Sequence, residues 1–204
     1  LKTGEVEEFA SFEKFLSAYL KQQKYFIRNA FIQEHEIIRL RAVHFASPFG
    51  SLLHKLCRDS YTDIHQPEIP GGIDLGYFEF IGYGTVIDSL SAIKKFVFEE
   101  KKIIWQQLKQ ALRADFEGYE DIRELLQTAP AYGNDDEYAD IIGKRIDREA
   151  LDFAAKYSEE LGVHLDLRFV PFTSHVPFGK VVSATPNGRK AYVPLSDGSS
   201  ASQG

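Results

Sequence analysis

Methionine is absent from this chain and cysteine occurs once, at Cys57. A single thiol excludes an internal disulfide framework and fits a reducing, cytoplasmic setting. No apolar run approaches the roughly 20 residues of a bilayer-spanning helix. No basic-then-apolar leader opens the sequence either, so no membrane partner is expected. Lys and Arg number 24 against 30 Asp and Glu, a net charge of −6. Without a basic patch interleaved with aromatics, nucleic acid is not an expected partner. The missing methionine and the opening Leu1 point to a piece of a longer protein, and the closing Ser-Gln-Gly supplies no stop for a fold.

What remains is globular. Hydrophobic residues make up 44% and charged residues 26% of 204 positions, enough for one domain, here a single partial domain over residues 1–204. The 16 Phe and 10 Tyr imply a core, or a ligand cavity, with aromatic walls.

Apolar residues recur at three- and four-residue steps from Ser11 to about Leu40, predicting a long helix capped by Ser11 that either spans a large body or breaks near Asn29. Ser47-Pro48-Phe49-Gly50 reads as a stop before a short helix through Leu52, Leu53 and Leu56. Thr62 to Pro70 is a loop by composition, and Pro70-Gly71-Gly72 a turn. Phe78 to Tyr83 is aromatic and β-prone, and a helix is expected after Asp88 as N-cap. Further helices are expected over Ile103 to Asp115, Glu120 to Thr128, and Asp135 to Leu161, the last ended by Gly162. His164 to Phe172 alternates as a strand. Strands separated by long helices indicate an α/β fold, helix-rich, with few strands of its own.

Candidate chemistry is sparse. Cys57 has His54 and Arg58 near it in sequence, but no orienting acid, so a packed structural thiol is the better reading than a nucleophile. His35, His44, His54 and His65 lie nine, ten and eleven residues apart, and His164 and His175 are isolated, so no metal site is expected. Asp135 and Asp136 suit a helix N-terminus, and the charges between Glu117 and Glu124 a solvated helix face. Neither Pro70-Gly71-Gly72 nor Asn187-Gly188-Arg189 has the spacing of a phosphate loop. Glu79 stands out, set among Tyr77, Phe78, Phe80, Ile81 and Tyr83. Two readings stay open: a solvent-facing strand residue, or a desolvated pocket carboxylate suited to hydrogen bonding or proton transfer.

Several blocks, in one order, resemble the glycyl radical enzymes, the pyruvate formate-lyase-like family. Ser47-Pro48-Phe49-Gly50-Ser51-Leu52-Leu53 comes first, then Cys57, Asp63 and Gly71-Gly72. Gly82 to Phe98 is similar to the family's G-x-x-x-V-x-D-S-L-x-A-I-K-K-x-V-F, and Ala129 to Asp136 to its A-P-K-Y-G-N-D-D. The closing block is Ala184-Thr185-Pro186-Asn187-Gly188-Arg189-Lys190-Ala191, then Ser196-Asp197-Gly198 and Ser202-Gln203-Gly204. The likeness runs from about Pro48 to Gly204.

That resemblance implies part of a ten-stranded β/α barrel of the pyruvate formate-lyase type, from a cytoplasmic anaerobic enzyme. It implies a glycyl radical on a glycine outside these residues, installed by a radical S-adenosylmethionine activating enzyme, and a homodimer acting on a small-molecule substrate. The family's reactive cysteine lies in a Cys-x-Glu loop; Cys57, followed by Arg58-Asp59, does not match it. No catalytic residue and no metal ligand is therefore expected in this chain. For the substrate, Phe78-Glu79-Phe80 stands where dehydratases and formate-lyases have Tyr-Asn, and Val176-Pro177-Phe178 is apolar on a strand that faces the cavity in relatives. Glu79, Val176 and Phe178 are thus the expected substrate-binding residues, and the arylacetate decarboxylase branch, acting on 4-hydroxyphenylacetate, is the expected activity. The alternatives are a diol or glycerol dehydratase, a formate acetyltransferase, or an inactive interaction module.

Overall fold

The computed structural model describes residues 1–66, 76–162, 165–169 and 173–202. Pro70-Gly71-Gly72 and His164 lie outside them. In chain order the elements are α1 (Phe12–His44), α2 (Pro48–Leu53), α3 (Lys55–Ser60), β1 (Gly76–Glu79), α4 (Tyr83–Ile93), α5 (Trp105–Arg113), α6 (Glu120–Gln127), α7 (Glu137–Leu161), β2 (Leu165–Arg168) and α8 (His175–Val181). A π-helical turn, Lys94–Glu99, continues α4, and β1 pairs with β2 in a two-stranded sheet. The chain divides into two compact units. One holds Leu1–Lys21, Glu79–Glu149 and Phe169–Gly204; the other holds Gln22–Phe78 and Ala150–Arg168.

The first unit is built around α4, in which ten of the eleven residues are buried. One side of it packs Tyr83, Ile87 and Leu90 against Phe12, Leu16 and Leu20 of α1 and Ala139, Ile142 and Ile146 of α7. The α4–α7 crossing is close because position 143 is glycine: a Cβ there would meet Ile87 Cδ1 at 2.8 Å. Ala92, Ile93 and Phe96 face Leu108 and Ala111 of α5, Phe116 and Leu126. The π turn sets Phe96 into this second cluster, and Glu100 N donates to Lys95 O at 2.8 Å, a bond five residues back.

In the second unit, Ile27, Phe31 and Ile38 are the buried face of α1. Phe31 stacks on Phe78 with ring centroids 5.3 Å apart. Cys57 is 2% exposed and packs with Ile64, its Sγ 3.5 Å from His54 Nδ1. That is a buried structural thiol. Large apolar side chains also stand in solvent here, including Phe49, Leu53 and Tyr61.

Several sequence expectations need correction. No break occurs at Asn29, because α1 contains neither Gly nor Pro and Asn29 Nδ2 turns back to Tyr25 O at 2.8 Å. Pro48 opens α2 instead of stopping a helix; its missing N–H is one of the unpaired donors of a first turn anyway. The strand expected over Phe78 to Tyr83 ends at Glu79, and Gly82, at φ 77°, turns the chain into α4. Asp88 is accordingly not a cap. It is buried within α4 and accepts the Tyr132 N–H at 2.7 Å. Burial holds its carboxyl above the usual range, against the pull of that bond. Val176 and Phe178 lie on α8, not on a strand.

Candidate functional site

The block from Ala184 to Ser202 folds into the wall of a polar cleft of about 500 Å³. Its first turn is local chemistry. Gly188 N donates to Thr185 O at 3.0 Å, which places Pro186 and Asn187 at the centre of a β-turn, where proline's fixed φ fits. Asn187 Oδ1 accepts from Thr185 Oγ1 at 2.7 Å. Gly188, at φ 84°, sits so close to α6 that a Cβ would meet Gln127 Cγ at 2.6 Å.

Arg189 holds the turn from inside. It is 8% exposed, and its guanidinium donates five hydrogen bonds. Nε reaches Thr185 Oγ1 at 3.1 Å. Nη1 reaches Lys190 O at 3.0 Å and Val193 O at 2.7 Å. Nη2 reaches Val182 O at 3.1 Å and Ser183 O at 2.5 Å. The planar fork of arginine suits such a ring of acceptors, which an ammonium could not span. Burial pushes its pKa down, opposed by the charge of Asp115, whose Oδ1 also accepts the Ala191 N–H at 2.7 Å.

Two helices clamp the rest of the block. Thr85 N donates to Ser196 Oγ at 3.0 Å and Ser196 N to Thr85 Oγ1 at 2.9 Å, a reciprocal pair at the start of α4. A Cβ on Gly84 would meet Ser200 O at 2.6 Å, and one on Gly179 would meet Val193 O at 2.4 Å. Those glycines let α4 and α8 lie directly on the backbone of the block. His175, the first residue of α8, brings Nδ1 to 3.2 Å from Asp197 Oδ1. Arg123 of α6 donates Nε–H to Gly188 O at 2.9 Å. Arg123, Gln127, His175, Lys190 and Asp197 all line the cleft.

Of the three residues singled out in the sequence, none is among those lining this cleft. Glu79 is half-buried at the end of β1. Val176 and Phe178 are 37% and 48% exposed on α8. On a strand, residues two apart share a face; on a helix they diverge by about 200°. Val176 and Phe178 therefore do not share one face of α8. The residues that were missed, Arg123, His175 and the Thr85–Ser196 pair, left little signal, since their partners are far away in sequence. Arg189 and Ser196 were visible only as members of the closing motif.

A family model described as "Pyruvate formate lyase-like" matches residues 1–179. The chain belongs to that family, the glycyl radical enzymes. It is 61% identical over 204 residues to an isethionate sulfite-lyase of Bilophila wadsworthia (strain 3_1_6), a match that covers all of this chain and 25% of the relative. The glycyl radical subunit of 4-hydroxyphenylacetate decarboxylase from Clostridium scatologenes is 33% identical over 144 residues, 60% of this chain and 16% of that one. Among solved structures, the glycerol-bound B12-independent glycerol dehydratase of Clostridium butyricum superimposes with a TM-score of 0.86 at 32% identity, over 100% of this chain and 26% of that one. The chain thus spans about a quarter of the length of the glycyl radical enzymes it matches. Its helix-rich α/β fold is part of their barrel domain.

Proposed function

We propose that these residues belong to a glycyl radical lyase that cleaves the carbon–sulfur bond of isethionate, 2-hydroxyethanesulfonate. One observation carries this reading: 61% identity along the whole chain to an isethionate sulfite-lyase, against 33% over 60% of the chain to the arylacetate enzyme. The arylacetate reading also loses its structural premise, because Val176 and Phe178 do not share a strand face. The net reaction balances without another reactant. Loss of hydrogen and the sulfo group from adjacent carbons leaves an enol, which becomes acetaldehyde, with sulfite released.

The radical would reside on a glycine outside residues 1–204, formed by a radical S-adenosylmethionine activating enzyme; it supplies the hydrogen-abstracting power. The residues here do not fit the relay role. Cys57 is buried, faces His54 and precedes Arg58-Asp59, so no radical step is routed through it. What the chain contributes is scaffold: the Arg189-centred turn, the Thr85–Ser196 pair, and Glu79 as a proposed substrate-wall residue at the sheet end. A homodimer is part of the same proposal.

A second reading is a diol or glycerol dehydratase, which the glycerol dehydratase superposition favours. Both are tested by activating the full-length enzyme anaerobically and offering isethionate, glycerol and 4-hydroxyphenylacetate in turn. Sulfite and acetaldehyde from isethionate are expected. Aldehyde from glycerol without sulfite would transfer the assignment to the dehydratases, and p-cresol would restore the arylacetate reading.

A further inference from the structure

The cleft beside the Arg189 turn has a charge unlike that of the chain. The chain carries a net −6, yet the cleft lining includes three cationic side chains, Arg123, Arg189 and Lys190, and one carboxylate, Asp197. Arg189 is spent on the protein's own acceptors, and Asp197 lies against His175. Arg123 is different. Its Nε is held by Gly188 O, which orients the guanidinium, while its Nη donors have no partner among the described residues. Lys190 is half-buried, with Glu120 in electrostatic reach but not among the lining residues.

The other polar groups of the lining include the hydroxyls of Ser196 and Ser200 and the amides of Gln127 and Asn187, beside the apolar Val193, Pro194, Leu195 and Ala201. Its walls are fixed before any ligand arrives, by the Arg189 ring, the Thr85–Ser196 pair and the contacts at Gly84 and Gly188. Preorganised donors lose less on binding than mobile ones. A volume of about 500 Å³ exceeds a bare ion and suits a molecule of several heavy atoms.

The geometry points to an oxyanion-binding site here, formed by Arg123 and Lys190, for a small hydroxylated organic acid whose carboxylate or sulfonate meets the cations and whose hydroxyls meet the serine and amide lining. This site does not depend on which bond the parent enzyme breaks. It stands or falls on binding alone.

The test titrates the full-length protein with isethionate, sulfate and glycerol at constant ionic strength, following the selectively labelled amide resonances of Gly188, Lys190 and Ser196. Saturable shifts are expected with isethionate and sulfate and none with glycerol. Because sulfate stabilises folded proteins generally by exclusion from their surface, the readout is saturation at these amides and not melting temperature. The double variant Arg123→Gln, Lys190→Gln is expected to weaken binding about tenfold or more, the scale of losing charge-assisted contacts. Lys190→Gln alone, at a half-buried position, is expected to weaken it about threefold, a loss of under half a decade in affinity; it provides the measurement should the double variant not fold. The proposal is overturned if neither anion gives saturable shifts, if Lys190→Gln binds as the wild type does, or if glycerol binds equally well.

Discussion

Replacing Arg189 by alanine removes one side chain and strands five acceptors: the Thr185 hydroxyl and the carbonyls of Val182, Ser183, Lys190 and Val193. Hydrogen bonds from a charged donor are worth about 1.5–3 kcal/mol each, and five of them do not add. Against them stands the cost of burying a guanidinium with no carboxylate hydrogen-bonded to it, several kcal/mol, which alanine relieves. The net loss should be about 3 kcal/mol, toward the lower end of what breaking a buried charged network costs. The direct assay is hydrogen exchange at Gly188 N and Ala191 N, whose acceptors are Thr185 O and Asp115 Oδ1. Protection at both should fall about a hundredfold, the equivalent of about 3 kcal/mol. Arg189→Lys keeps the charge but supplies three donors in the wrong geometry, so it should recover less than half of that loss. Protection within about threefold of wild type for Arg189→Ala would show that the turn is held by something else, and the scaffold argument would fail.

Gly84→Ala should destabilise the first unit by about 1–3 kcal/mol, because its Cβ meets backbone, the Ser200 carbonyl at 2.6 Å; unchanged protease resistance near Ser199–Ser202 would contradict this. The Asp88 carboxyl is raised by burial, so its contribution is fully present below the unfolded pKa and is lost as pH rises through the folded one. Asp88→Asn keeps an oxygen for the Tyr132 N–H and removes that loss; its stability relative to wild type should grow from pH 4 to 7, and a flat difference would refute the sign. In the activated full-length enzyme, Glu79→Gln should raise KM severalfold with kcat nearly kept, as for lost uniform binding. Both constants within about twofold of wild type would return Glu79 to a solvated strand residue.

The helices were legible where local pattern suffices. Phe12, Leu16 and Leu20 fall on one face by spacing alone, and Ser11, offered as the N-cap, directly precedes the first residue of α1. Asp136, read as a helix opener, accepts the Tyr138 N–H at 2.9 Å. Short elements were less legible. Phe78 to Tyr83 has β propensity throughout, but the left-handed φ of Gly82 divides it. Val176-Pro177-Phe178 is placed on a strand by the family resemblance alone, yet His175–Val181 is helical, and Gly179 lets that helix pack closely on Val193 and Pro194.

The family is legible in ordered blocks that need no contacts to be read, and the long helices in the spacing of residues three and four apart. Tertiary structure alone decided which groups form the cleft. Arg123 meets Gly188 across 65 residues and Thr85 meets Ser196 across 111. Hydrogen bonds act over about 3 Å, so no pattern along the chain announces which distant donor and acceptor the packing of α4, α6 and α8 will bring within that reach.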